Sequence, residues 1–384
     1  MKNSPPVPPT VAVDLRALVP APTGIGVSTR ELLASLGPSG AFQYRGFAHR
    51  PVHDEAILAA AGVPVEVVPA ALGVTWQQWQ LPRRLQRGDN DLHWSPLQTL
   101  PLLGDVPGVV TVHDLTVLLF PDFHTLKVRY SQVPFLARSF ERARRVIAVS
   151  NATADDLRRH FPAAFVGQPE KLRVIHGGVR PEFTPGEPAA IAAVRAELGC
   201  PEGYLLYAGT LEPRKNIGTL VTAWAALRRE FPATLPLVLA GGYGWRSRSL
   251  ERQLAELAPA GLRHLGRVTD ARLLELLQAA SVFVYPSFYE GFGLPVVEAM
   301  ACGVPVVTSD RSSLPEVAGG AALLVDPQDA GQLAGAVAHL LAEPGLSAEL
   351  AGRGLERART FRWDTAARAH EEVFTEALAA EPPG

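Results

Sequence analysis

Cysteine is nearly absent from this chain: Cys200 and Cys302 are the only two in 384 residues. They lie far apart and in no metal-ligand spacing, which excludes a disulfide framework and a cysteine-built metal site. Cys302 falls in the apolar run Ala299-Met300-Ala301-Cys302-Gly303 and reads as a small buried thiol. An excess of either charge is also lacking. The 36 Lys and Arg stand against 38 Asp and Glu, a net charge of −2, which gives no footing for nucleic-acid binding. No apolar run approaches the roughly 18 residues that a membrane span needs. The start, Met1-Lys2-Asn3-Ser4-Pro5-Pro6, runs straight into prolines without an apolar signal region. A reducing cytoplasm is the expected compartment, and peripheral contact with the inner face of a membrane stays open.

What is present is the make-up of a packed globular protein, 47% hydrophobic and 19% charged. The length suits two domains of roughly 150–200 residues each. Short β-branched runs alternate with longer amphipathic stretches, the pattern of βα units around parallel sheets. In the first half this predicts strands over 11–14, 42–48, 65–68, 109–113, 146–149 and 172–175, with helices over 27–36, 76–85, 126–142 and 152–160. From Arg180 to Pro188 three prolines fall in nine residues. Proline removes a backbone donor and biases its predecessor away from helix, so the stretch reads as an extended linker and the domain boundary. The pattern then restarts, with strands expected over 204–208, 237–240, 282–285, 304–308 and 322–325. Helices are expected over 216–230, 250–257, 271–279, 295–302, 329–341, 347–360 and 363–379. Ligands of open α/β sheets bind at the carboxyl ends of strands, so two such Rossmann-like domains facing each other across a cleft would take one substrate each.

The strongest local signal is Tyr285-Pro286-Ser287-Phe288-Tyr289-Glu290-Gly291-Phe292-Gly293-Leu294-Pro295-Val296-Val297-Glu298. It reads as strand, glycine turn and helix. Gly291 and Gly293 permit positive φ and a close approach to the backbone, Pro295 suits a first helical turn, and a helix start favours a phosphate. Glu290 before the turn and Glu298 one helical turn inside offer two carboxylates to sugar hydroxyls. The competing reading is a plain connecting turn with a solvated Glu290 and a surface Glu298. In Gly209-Thr210-Leu211-Glu212-Pro213-Arg214-Lys215-Asn216, two cations stand where a helix begins, an unfavourable place unless an anion is held there. Arg214 can fork onto a diphosphate while Lys215 acts as a point charge; an exposed basic turn is the alternative. In the first half, Pro22-Thr23-Gly24-Ile25-Gly26 is a weak loop signal. His113-Asp114 ends a strand where the His could meet a sugar hydroxyl, or be a structural His beside a capping Asp. Asp14 reads as structural. The helix carrying Trp76, Trp79, Arg83, Arg84 and Arg87 reads as core on one face and solvated on the other, rather than as a membrane-touching helix.

Glu290 and Glu298, the Glu-Pro-Arg-Lys-Asn turn, Gly24-Ile25-Gly26 and His113-Asp114, in their order along the chain, together resemble family 4 of the retaining GT-B glycosyltransferases. The likeness covers roughly residues 10–380 and extends to Val149-Ser150-Asn151-Ala152-Thr153, Ile175-His176-Gly177-Gly178-Val179 and Ser313-Leu314-Pro315-Glu316-Val317. The subgroup with Gly-Thr-Leu-Glu-Pro-Arg-Lys-Asn is similar to bacterial mannosyltransferases acting on polysaccharide or lipid-linked acceptors. The resemblance implies an acceptor-binding domain over 1–181, a nucleotide-sugar domain over 182–360, and a helix over 361–384 crossing back, anchored by Trp363. It implies a nucleotide diphosphate sugar as donor substrate, with GDP-mannose the first expectation, and neither metal nor other cofactor. Glu290 would contact the transferred hexose, and Glu298 the ribose. Arg214 and Lys215 would neutralise the diphosphate with the amides of Gly291, Phe292 and Gly293, and Leu294 would be a further substrate-binding residue. His113 would approach the sugar, Gly24 and Gly26 would let a loop close over the phosphates, and Val268 would meet the base through its backbone. Gly209 and Thr210 would line the donor site; many members carry Arg where this chain has Thr210. A sugar-nucleotide epimerase and a non-catalytic nucleotide-sugar-binding protein are the alternatives.

Overall fold

The computed structural model describes residues 7–19, 24–123, 126–231, 233–244 and 248–380. The chain forms two compact units, one up to Gly178 together with the residues from Arg362 onward, the other Val179–Phe361.

In the first unit seven parallel strands stand in the order β3-β2-β1-β4-β5-β6-β7. They are β1 (Thr10–Asp14), β2 (Gln43–Ala48), β3 (Val65–Val67), β4 (Leu92–Ser95), β5 (Gly108–Val112), β6 (Arg145–Ala148) and β7 (Leu172–Val174). Parallel sheets carry helices on both faces and so favour continuous apolar runs; every residue of β5, Gly-Val-Val-Thr-Val, is buried. The strand β4, Leu-His-Trp-Ser, is equally buried and was not among the expected strands. Its polar side chains find partners inside the sheet instead of solvent: His93 Nδ1 lies 3.1 Å from the Ala12 carbonyl, and Trp94 donates to Thr111. The helix Trp363–Ala379 belongs to this unit and buries Trp363, Ala366, Ala367, His370, Val373, Phe374 and Ala377. Phe374 meets Phe42 edge-on at 5.8 Å and Trp94 at 5.7 Å. In the Trp76–Gln86 stretch the first turn is π-helical. Trp76 is fully buried, whereas Trp79 is 57% exposed, with Arg83 over its ring.

The second unit repeats the plan with six parallel strands in the order β10-β9-β8-β11-β12-β13. They are β8 (Leu205–Ala208), β9 (Leu237–Ala240), β10 (Leu262–Gly266), β11 (Val282–Tyr285), β12 (Val306–Ser309) and β13 (Ala322–Val325). Strand β10, Leu-Arg-His-Leu-Gly, was also not expected. It is a half-exposed edge strand, and edge positions carry charge readily. The proline-rich stretch differs from a free linker: Phe183 is 4% and Arg180 5% exposed, and Gln278 donates to the Thr184 carbonyl. Pro188 does not continue the extended run but opens a helix, Pro188–Glu197, where its missing N–H costs nothing.

Both strand orders reverse direction once, between β1 and β4 and between β8 and β11. Such switch points leave a crevice at the carboxyl strand ends.

Candidate active site

The site in the second unit grows from the neighbouring ends of β8 and β11. After β8 the chain turns at Gly209, whose φ is +147°, a region open to glycine. A Cβ at Gly209 would lie 2.9 Å from the Tyr207 hydroxyl, and one at Gly241 only 1.9 Å from the Gly209 carbonyl oxygen. Thr210 follows, exposed, its carbonyl accepting from Tyr207 Oη at 3.2 Å. Pro213–Lys215 make one tight turn that ends at Asn216 in the left-handed region, and the helix Ile217–Glu230 starts there. The Asn216 amide donates to the carbonyls of Pro286 (3.0 Å) and Pro327 (2.6 Å), tying this turn to the end of β11.

So fixed, both cations reach one carboxylate. Arg214 donates to Glu290 Oε2 at 2.9 Å, to the Tyr289 carbonyl at 2.7 Å and to Glu212 at 2.8 Å. Lys215 Nζ donates to Glu290 Oε1 and to the Tyr285 hydroxyl, both at 2.7 Å. Glu290 is 7% and Lys215 9% exposed, so neither is a solvated surface charge. Burial works to raise the Glu290 carboxyl, but the Arg214 and Lys215 charges prevail and hold it at about 2. Burial draws the Lys215 ammonium below its ordinary value, opposed by Glu290. Burial and the Glu290 charge push the Tyr285 phenol well up, so it stays protonated.

The turn Gly291–Gly293 follows directly. Gly293 has φ +117° and opens the helix Leu294–Ala301, with Pro295 in its first turn. Two serines hold this turn in place. The Glu290 amide donates to Ser312 Oγ at 2.8 Å, and Ser313 Oγ reaches the carbonyls of Glu290 (2.9 Å) and Phe292 (2.6 Å). Glu298 is 8% exposed, not a helix-surface charge, and its Oε1 lies 3.4 Å from Arg180. Burial pushes its carboxyl up to about 7 even with Arg180 beside it. Val268 is half-buried between β10 and the helix Asp270–Ala279, two strands from the carboxylate cluster.

Two family models match, "Glycosyltransferase Family 4" over residues 22–183 and "Glycosyl transferases group 1" over residues 195–357. The chain is 36% identical to the O-antigen chain mannosyltransferase B of Escherichia coli over 261 residues, 67% of either chain. It is 35% identical to a D-inositol 3-phosphate glycosyltransferase of Streptomyces bingchenggensis over 62% of this chain and 53% of that one. The chain belongs to glycosyltransferase family 4. Its fold is GT-B: HepE of Anabaena, solved with UDP and glucose, superposes with a TM-score of 0.75 at 20% identity, covering 95% of this chain and 99% of that one.

In this glycosyltransferase the first-unit candidates stand as follows. His113 directly follows β5 and is half-buried. Burial holds its imidazole at about 4, opposed by Asp114 and a hydrogen bond to the Pro96 backbone, so the ring is neutral, and its Nε2 is buried without a hydrogen-bond partner. Asp114 accepts from the Thr116 amide at 2.9 Å, where the short helix Thr116–Leu119 begins. Gly24 and Gly26 require a correction: they lie inside the first turn of the helix Gly24–Leu36, not in a loop before it. Gly26 is small because a Cβ there would approach the Ala17 carbonyl oxygen to 2.8 Å; it serves helix packing. Pro22 and Thr23 lie outside the described residues. Asp14 is structural, fully buried and bound by Arg16 at 2.7 Å. Sequence reasoning missed Ser312, Ser313, Glu212 and Arg180. The serines and Glu212 lie within or beside quoted motifs, but Arg180 reaches Glu298 across 118 residues, and no short-range pattern carries that distance.

Proposed function

We propose that this glycosyltransferase moves a hexose, mannose from GDP-mannose in the first instance, to an acceptor hydroxyl in polysaccharide or glycolipid synthesis, with the anomeric configuration retained and without a metal ion. The observation that carries the reading is the convergence of Arg214 and Lys215 on Glu290 beside the glycine turn that opens the Leu294–Ala301 helix. The bond that breaks joins the anomeric carbon to a phosphate oxygen, and negative charge grows on the departing diphosphate. Arg214, Lys215 and the helix-start amides are fixed before that charge appears, so little reorganisation is required. The acceptor oxygen forms its bond to the same face of the anomeric carbon, and its proton passes to the leaving phosphate oxygen. Glu290 is not a nucleophile in this scheme, because its ion-paired carboxylate is engaged on both oxygens. It sets the two cations and accepts from hexose hydroxyls with its remaining lone pairs. Glu298 takes the ribose.

The choice of mannose draws on the likeness to the O-antigen chain mannosyltransferase of E. coli. Among the described residues no helix is long and apolar enough to cross a membrane. We place the enzyme in the cytoplasm, where a lipid-linked acceptor would be met at the membrane face. Incubation with GDP-mannose and UDP-glucose in parallel, with a mannan-type acceptor and NMR of the new linkage, tests the reading. An α-linked mannosyl product is expected; a β-linked product from an α-linked donor refutes retention, and transfer from UDP-glucose alone refutes the donor.

A further inference from the structure

Glu298 is buried in the helix Leu294–Ala301, yet its helix neighbours do not hold it. The group that does is Arg180, which follows the entry of the chain into the second unit. Arg180 is 5% exposed. One terminal nitrogen lies 3.4 Å from Glu298 Oε1 and the other 2.6 Å from Asp270 at the start of the helix Asp270–Ala279. Glu182 approaches to 3.6 Å, and the guanidinium lies 4.5 Å over the Phe183 ring. Its Nε is buried without a partner. A buried guanidinium with an unsatisfied donor is costly, and a helix-buried carboxylate is costly too. Replacing both by apolar side chains would stabilise such a place or leave it neutral, so the pair is better explained by a ligand that uses it.

We propose that Arg180 is a positioning residue for the nucleoside end of the donor site, its guanidinium orienting the Glu298 carboxylate that takes the ribose hydroxyls. This rests on the reading of Glu298 as the ribose contact. Oε1 is turned toward Arg180 and Oε2 is left to accept. The groups facing Glu298 are few. Arg180 opposes the effect of burial, while Asp270 and Glu182 reinforce it. Cys302, one turn further along the same helix, is itself pushed up by burial and by Glu298. The helix Pro344–Ala358 brings Arg357, which is held by the carbonyls of Val317 and Glu316, and β11 and β12 bring no charged side chain. With its carboxyl near 7, Glu298 accepts two hydroxyls above that pH and loses acceptor capacity below it, and the Arg180 charge sets where the change occurs.

The test is calorimetric binding of GDP, with UDP in parallel, to the full chain between pH 5.5 and 9. The proteins are the wild type, Arg180→Met, Arg180→Lys, Glu298→Gln and the Arg180→Met/Glu298→Gln double variant. The Glu298→Gln profile removes the titration of the nucleotide's own phosphate from the comparison. Arg180→Met is expected to weaken the nucleotide at least tenfold at pH 7 and to move the affinity midpoint up by a pH unit or more. Arg180→Lys should restore most of the loss, and Arg180→Met should cost less than twofold in the Glu298→Gln background. An unmoved midpoint, or losses that multiply in the double variant, overturns the proposal. If Glu298→Gln binds nucleotide like the wild type, the ribose reading itself fails and the proposal with it. Should Arg180→Met not fold, Asp270→Asn serves: it removes a half-exposed negative charge and should move the midpoint down, and a midpoint that stays or rises overturns the proposal.

Discussion

Replacing Glu290 by glutamine keeps the shape of the side chain and removes the one charge that Arg214 and Lys215 share. In the native protein the carboxyl is held at about 2, against an ordinary 4.5, which corresponds to about 3 kcal/mol of stability at neutral pH. Removing one partner of a buried ion pair costs a similar amount, about 3–5 kcal/mol. Arg214 keeps Glu212, but Lys215, 9% exposed, is left with the Tyr285 hydroxyl alone among its hydrogen-bond partners described above. For a domain of this size 1 kcal/mol moves the melting temperature by about 2–4 °C. The ligand-free variant should therefore melt roughly 6–12 °C below the wild type. The nucleotide should reverse the order of effects. A diphosphate brings the missing anion, so GDP should raise the melting temperature of Glu290→Gln more than that of the wild type. Turnover should nevertheless fall about 100-fold or more, because the cations lose the geometry that meets the leaving group. Differential scanning fluorimetry with and without GDP, beside a transfer assay, reads all three. A variant that melts with the wild type and transfers sugar at full rate would refute the reasoning. The sign with pH is also fixed: the folded carboxyl is depressed, so its contribution is complete above about 4.5 and is lost as pH falls toward about 2.

Truncating Arg214 and Lys215 together to alanine should weaken GDP by 100-fold or more while leaving guanosine within about threefold, since each charged hydrogen bond contributes about 1.5–3 kcal/mol; equal losses for both ligands in calorimetry would contradict their placement at the diphosphate. Treatment with EDTA should leave the transfer rate unchanged, and restoration of a lost rate by Mg²⁺ would defeat the metal-independent scheme. Glu298 has the opposite pH sign to Glu290: its folded carboxyl is raised to about 7, so stability is fully present below about 4.5 and is lost as pH rises through 7. Urea titrations should find Glu298→Gln more stable than the wild type by about 2–3 kcal/mol at pH 8 and little different at pH 5; a variant less stable at pH 8 would refute this.

The parts legible in the sequence were those whose neighbours in space are also neighbours in sequence, or whose surroundings are uniformly apolar. Strands such as β5 and β9 announce themselves because both faces are buried and every residue is apolar or small. Strand β4 hid because His93 and Ser95 interrupt the run; His93 is buried against the Ala12 carbonyl of the neighbouring strand, and Ser95 donates to the Leu97 carbonyl just beyond the strand end. The helix Pro188–Glu197 hid behind its opening proline and an alanine-rich surface that buries only Val194. In the site, Glu290, Arg214 and Lys215 stood out as motif residues, but their mutual ion pairing did not, because it depends on Asn216 tying two strand ends together. The pattern Gly24-Ile25-Gly26 looked like a loop for a simple reason: glycine is poor in helix, and the close approach to Ala17 that demands it is a tertiary fact.

The helix Trp363–Ala379 completes the core of a unit whose other residues end at Gly178. Vectorial synthesis therefore reverses the order of maturation. The second half can be made with every segment of its core present, while the first half waits, with Phe42 and Trp94 uncovered, for the residues that follow Phe361. A released chain truncated after residue 361 should show a protease-resistant fragment from the later half and a cleavable earlier one, and equal resistance of both would argue against this sequence of events.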